Sequence, residues 1–171
     1  GTYLNPRRSF HMTGIAKWSS PRWSAEFFYI QPEELTRHAH MKNRYVGADA
    51  AFNCKGWNPG LAFISRVDGE GDYYLPDGSR MSHKGLLVIN PKLWVSDIAG
   101  TGLFFKSEYA YEWHTGGGMS ANAWYAGLGI DLHRAPWTPR LYYRYAFMQG
   151  DNPSSRIYSR FDPMLTGGLA E

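Results

Sequence analysis

Along "PRLYYRYAFMQGD", residues 139–151, a large apolar or aromatic side chain falls at every second position: Leu141, Tyr143, Tyr145 and Phe147. Between them stand Arg140, Tyr142, Arg144 and Ala146. A strand sends successive side chains to opposite faces. The segment therefore predicts a strand with one greasy, aromatic face and one face bearing two arginines. Similar alternation marks about eight segments, near 10–18, 22–30, 44–53, 59–67, 85–96, 102–114, 119–132 and 138–149. Helical spacing is nearly absent, and Gly and Pro fall mostly between the alternating runs. That pattern predicts an all-β antiparallel chain.

The links between the expected strands differ in length in an ordered way. "SSP", "CKGWN", "DIAGT" and "HRAPW" are short, whereas 31–43 and 68–84 are long and polar, and a third long link starts at Gly150. Only "TGGG", 115–118, is short where a long loop is due. Short turns at one end and long loops at the other are the pattern of a transmembrane up-and-down β-barrel of the bacterial outer membrane.

The two faces sharpen that expectation. In 102–114 one face carries Leu103, Phe105, Ser107, Tyr109, Tyr111 and Trp113, and the other Phe104, Lys106, Glu108, Ala110, Glu112 and His114. The apolar faces of 22–30, 44–53, 59–67 and 119–132 are likewise free of charge. Trp23, Tyr29, Trp113 and Trp124 lie toward strand ends, where a membrane interface favours amphipathic rings. Leu141, Tyr143, Tyr145, Phe147, Phe105, Tyr109, Tyr111 and Trp113 are thus the expected lipid-facing residues. Lys17, Arg66, Lys106, Glu108, Glu112, Arg140, Tyr142 and Arg144 are the expected lumen residues that contact solute. Glu26, Asp49, Lys92 and Asp131 are further lumen candidates. Arg140 and Arg144, with Tyr142 between them, suit a carboxylate held beside a stacked sugar ring. The competing reading of these charges is that they pair across the lumen and brace the wall. A soluble antiparallel sheet with one buried face would also alternate, but it has no reason to sort its loops by length.

Composition narrows the function. Of 171 residues, 16% are aromatic, yet the mean hydropathy is negative, which fits sharply alternating strands. A net charge of +3 without a basic run argues against nucleic acid as a partner. Cys54 is the one cysteine, so no internal disulfide forms. There is no 18-residue apolar run for a membrane helix and no charged-then-apolar leader at the start. Asp68, Glu70, Asp72 and Asp77 share one loop but lack the closing Glu of an EF-hand. His38 and His40, with His83 and His114 elsewhere, fall short of a zinc-ligand pattern. The glycine runs precede no helix, and no nucleophile elbow is present. The expectation is a protein with no catalytic residues, no cofactor and no metal.

The stretch from "SDIAGTGLFFKSEYAYEWHTGGG" through "ANAWYAGLGIDL" to "APWTPRLYYRYAFMQGDNPSSRIYSRFDPMLTGG" resembles the later part of alginate-export-type outer-membrane porins. The likeness lies in a strand ending in glycines, a Gly-rich strand, the run P-R-L-x-Y-R-Y-A-x-x-x-G-D, and a loop bearing F-D-P-M-L. It is clearest over roughly the last 75 residues. It implies a barrel of about eighteen strands in a Gram-negative outer membrane. It also implies passive passage of an anionic polysaccharide or small anionic solute, steered by lumen arginines. About eight strands are too few for that barrel, so 1–171 is expected to be a single barrel segment with further strands beyond both ends. The alternative is a plugged or structural barrel that anchors or sleeves a periplasmic or surface partner protein. Two other rivals are an outer-membrane enzyme with its site in the long loops and a soluble carbohydrate-binding sandwich.

Overall fold

A computed structural model describes residues 10–32, 34–35, 40–41, 43–133, 135–152 and 154–162. In chain order the strands are β1 (Phe10–Ser19), β2 (Trp23–Pro32), β3 (Glu34–Leu35), β4 (His40–Met41), β5 (Arg44–Phe52) and β6 (Trp57–Asp68). They continue with β7 (Asp72–Tyr74), β8 (Arg80–Ser82), β9 (Leu86–Val95), β10 (Leu103–His114), β11 (Ser120–Asp131) and β12 (Arg140–Met148). Eight of them form one antiparallel sheet in the order β1-β2-β5-β6-β9-β10-β11-β12. Every expected strand is present. The two long polar links are not plain loops, however: they fold into the small ribbons β3/β4 and β7/β8.

Local chemistry sets the short-turn end. Lys55 and Gly56 both take positive φ, 43° and 89°, between Cys54 and Trp57, whose backbones exchange two hydrogen bonds of 2.8 Å. This is the tight two-residue hairpin whose twist matches its strands. The β9–β10 turn is longer and holds a 3₁₀ turn at Ile98–Gly100, closed by Gly102 N donating to Asp97 Oδ1 at 2.8 Å.

Register carries each face across all eight strands. On the apolar face Phe27 pairs with Ala48, Ala48 with Phe63, and Phe63 with Ile89. Farther along, Phe105 pairs with Leu128 and Leu128 with Tyr143. The face is free of charge except at the long-loop end of β5, where Arg44 shares the parity of Val46 and pairs with Asp68 beyond a register shift. The opposite, charged face carries Lys17, Glu26, Asp49, Arg66, Lys92, Lys106, Glu108, Glu112, Asp131, Arg140 and Arg144.

Burial is inverted relative to a water-soluble sheet. The apolar face is the open one: Phe27 is 62% exposed, Leu128 53% and Tyr143 73%. The buried apolar residues of the eight-stranded sheet, Tyr45, Ala62, Leu86, Val88, Phe104, Ala121 and Ala123, lie on the charged face, with Val95 the exception among the described residues. Small residues make that crowding possible. A Cβ on Gly47 would meet the Phe28 ring, one on Gly129 the Phe104 ring, and one on Gly127 the Tyr142 ring. Long side chains on this side thus lie over glycines of the adjacent strand.

The expected antiparallel sheet of about eight strands is present; closure is not expected of a segment with further strands beyond both ends, and the described residues do not close. β1 and β12 each pair with a single neighbour, so the described residues form an open sheet. Closure requires first and last strands to share a hydrogen-bonded seam, and these two do not.

Candidate functional site

All the expected lumen residues lie on the charged face, where they fall into two zones. Toward the short turns and mid-height the face is open and threaded by charge. Lys17 pairs with Glu26 at 2.8 Å across β1 and β2. Asp49 of β5 pairs with Lys92 of β9, reaching across β6. That reach needs β6 to be low, and its residues there are Gly60 and Ala62. Glu108 stands opposite Lys92 and accepts a 3.0 Å hydrogen bond from the Tyr125 hydroxyl. Asn58, Lys92, Trp94, Lys106, Glu108 and Tyr125 line a depression of about 320 Å³.

The two arginines of the opening motif have different fates. Arg140 is held by Asp131 through Nε–Oδ1 at 2.5 Å and Nη2–Oδ2 at 2.8 Å, and its guanidinium lies 4.9 Å from the Phe104 ring centre. Among the described residues Arg144 forms no ion pair; its guanidinium lies 5.3 Å from the centre of Tyr125. Lys106 likewise has no carboxylate partner and stands 4.9 Å from the Trp94 ring centre. Lys106, Gly127 and Arg144 share one register row across β10, β11 and β12. Two cations without carboxylates therefore flank a glycine, and the Tyr142 ring lies over it. Tyr142 itself stacks on Phe104 at 5.7 Å.

Toward the long loops the same face is closed over. Leu86, Val88 and Ala121 of the wall form a core with Tyr73 of β7 and with Met119. Ile64, Met81, Ala110, Tyr158 and Phe161 pack around it. Arg66 and Glu112, expected to contact solute, are buried here at 4% and 0% exposure. Arg66 bonds to Asn43 Oδ1 and pairs with Asp162 at 3.5 Å. Glu112 Oε2 accepts the Asp162 backbone N–H at 2.8 Å, and the Tyr73 hydroxyl donates to Asp162 Oδ2 at 2.5 Å. In this conformation both wall charges serve the packing of residues 149–152 and 154–162, out of reach of a solute. Burial, with the Asp162 charge and hydrogen bond, holds the Tyr73 hydroxyl well above the usual phenol range.

The expected lipid-facing residues Leu141, Tyr143, Tyr145, Phe147, Phe105, Tyr109, Tyr111 and Trp113 all lie on the apolar face. The acidic loop is occupied locally. Asp68 pairs with Arg44 at 3.3 Å, and Asp77 accepts hydrogen bonds from Ser79, which hold its carboxyl below the usual range. Among the described residues, no group of three or more His, Cys, Asp or Glu is arranged to hold a metal ion. His38, and Pro163 to Leu165 of the F-D-P-M-L run, lie outside the described residues.

Sequence reading passed over Trp94, Tyr125, Tyr73 and Asp162 as site residues. Trp94 and Tyr125 were legible, since alternation puts them on the charged faces of "KLW" and "AWYAG". Tyr73 and Asp162 meet across 89 positions, and no local signal joins them. In comparisons with known proteins, no family model, no curated protein and no solved structure matches this chain.

Proposed function

We propose that this chain is the wall of an outer-membrane β-barrel channel through which anionic solutes diffuse along the charged face. One observation carries the reading: the aromatic face is the more open one across the eight strands, while the charges of the sheet, apart from Arg44 at the end of β5, stand on the other side. Water penalises that arrangement and a bilayer rewards it. Trp18, Trp23 and Trp57 stand at one margin of the apolar face, and Tyr29, Tyr111 and Trp113 at the other. Aromatic girdles bordering an apolar band are what such barrels present to lipid.

Lys106 and Arg144 make the solute anionic in this reading, because among the described residues they are the Lys and Arg of the wall without carboxylate partners. Aromatic rings beside both suit a sugar ring bearing a carboxylate, in line with the resemblance to alginate-export-type porins. The solute binds weakly and leaves, and no bond is made or broken. In a closed channel, further strands complete the ring from the free edges of β1 and β12.

The test is ion conductance of the full-length protein in planar bilayers, with anion/cation selectivity, before and after Lys106→Ala plus Arg144→Ala. An anion preference lost in the double variant supports the reading. Silence from folded, inserted protein sinks it. The dry core at the long-loop end favours one second reading, a plugged barrel that anchors a surface or periplasmic partner. That reading predicts silence together with a co-purifying protein.

A further inference from the structure

The segment after β12 does not leave the sheet. Gln149 continues the ladder, its N–H bonding Asn122 O at 2.9 Å. The chain then turns at Asn152, where the backbone N–H donates to Ser159 Oγ at 2.9 Å, and runs back. Phe161 N–H returns to Gln149 O at 3.0 Å. Tyr158 lies parallel to Met119, with Tyr158 N–H donating to Gly118 O at 2.8 Å and Ser120 N–H to Tyr158 O at 3.0 Å. The Tyr158 ring meets Tyr73 of the β7/β8 ribbon at 5.0 Å. Strap and ribbon together cover the wall at Leu86, Val88 and Ala121.

Gln149 Oε1 fixes the root of this strap by accepting from Asn122 N–H at 3.1 Å and Asn122 Nδ2 at 2.5 Å, and the polar attachment of its far end converges on one residue. Asp162 receives Tyr73 and Arg66 at its carboxylate and gives its own N–H to Glu112. These partners come from the ribbon, β6 and β10, so one aspartate ties the strap to three elements. Beyond the root at Gln149, the rest of the attachment is apolar contact by Tyr158 and Phe161 and the backbone bonds of Tyr158 with Gly118 and Ser120. Loss of the far anchor leaves the strap held at its root and by apolar contact, so it opens locally at the Asp162 end.

We propose that residues 149–152 and 154–162 form a strap that narrows the long-loop end of the lumen, with Asp162 as its latch, so that lifting the strap widens the passage. The proposal rests on the channel reading above and adds a regulated constriction to it. Arg66, Tyr73 and Glu112 then act as positioning residues of the strap, distinct from the open row of Lys106 and Arg144 that meets the solute.

The experiment uses the full-length protein in planar bilayers, in two forms. Asp162→Ala removes the carboxylate bonds of the latch to Tyr73 and Arg66 and leaves the backbone N–H bond to Glu112. Met119→Cys with Tyr158→Cys, in a Cys54→Ser background, allows the strap to be locked by oxidation and freed by reductant in the same molecules. The expected result is a several-fold higher conductance or open fraction for Asp162→Ala. Oxidation of the cysteine pair lowers conductance, and reductant restores it. Conductance that is present but unchanged by both manipulations overturns the strap and leaves the channel reading standing. Silence of the parent, the latch variant and the reduced pair, all folded, overturns the channel reading, and the gating role falls with it.

Discussion

Arg140 grips Asp131 with two hydrogen bonds across the β11–β12 pair, Nε to Oδ1 at 2.5 Å and Nη2 to Oδ2 at 2.8 Å. The planar guanidinium fork matches the carboxylate edge, so this pair is locally neutral. Arg144, four residues on, has no such partner among the described residues. The two arginines of one strand face therefore predict different phenotypes. Replacing Arg140 and Asp131 together by Ala should leave selectivity near the parent value, because no net charge leaves the lumen. Lys106→Ala plus Arg144→Ala removes two positive charges and should shift the reversal potential toward cations. Reversal potentials in asymmetric salt measure both, and equal shifts would place the selective cations elsewhere.

The exposed apolar face makes a second prediction. At a water-exposed position, Leu128→Arg or Phe27→Arg should change stability by no more than about 0.5 kcal/mol. Facing lipid near mid-height, each should cost about 2–4 kcal/mol. Denaturant unfolding from lipid vesicles gives the value directly. A cost near zero for both would mean that water covers this face.

A third prediction concerns pH. The Tyr73 hydroxyl is held above the usual phenol range by burial and by Asp162. An acid whose folded value lies above its unfolded one contributes its full stability below the unfolded value, about 10 for tyrosine. That contribution declines as pH rises beyond it, because the unfolded state sheds the proton first. The capped end should therefore be insensitive to this group up to about pH 10 and weaken above it. Tyr73→Phe should abolish that alkaline loss and cost about 2 kcal/mol at neutral pH, the worth of a hydrogen bond to a charged group. Denaturant midpoints across the alkaline range, for parent and variant, provide the check.

The glycines of the charged face give a fourth. A Cβ on Gly47 would stand 2.3 Å from the Phe28 ring and 2.7 Å from the Phe63 carbonyl oxygen. The ring can move, but the backbone oxygen is fixed by the β5–β6 ladder. Gly47→Ala should destabilise by about 1–3 kcal/mol, as overpacking does. Adding Phe28→Ala should recover only part of that loss, because the carbonyl clash remains. Full recovery in the double variant would assign the whole effect to the ring.

Much of the wall was legible in the sequence, and the cap was not. The alternation in "LYYRYAF" and "LFFKSEYAYEW" placed Leu141 to Phe147 and Phe105 to Trp113 on one face, as the register has them. Link lengths separated the two ends. The ribbons β3/β4 and β7/β8 escaped because short, polar strands carry no hydrophobic period to read. Arg66 and Glu112 were correctly placed on the charged face, yet their burial depends on a segment far along the chain. The same limit applied to Arg140 and Arg144, identical in type and face but unlike in partner.

The sequence by itself determined the strands and the chemistry of their two faces, because a period of two is a local property that each residue obeys independently of the rest. Tertiary structure decided which charges pair, which face is open, and that residues 149–152 and 154–162 fold back onto the wall. Those outcomes depend on register between strands and on contacts as distant as Tyr73 and Asp162, 89 positions apart. There the competition among partners, more than any local preference, settles each side chain's place.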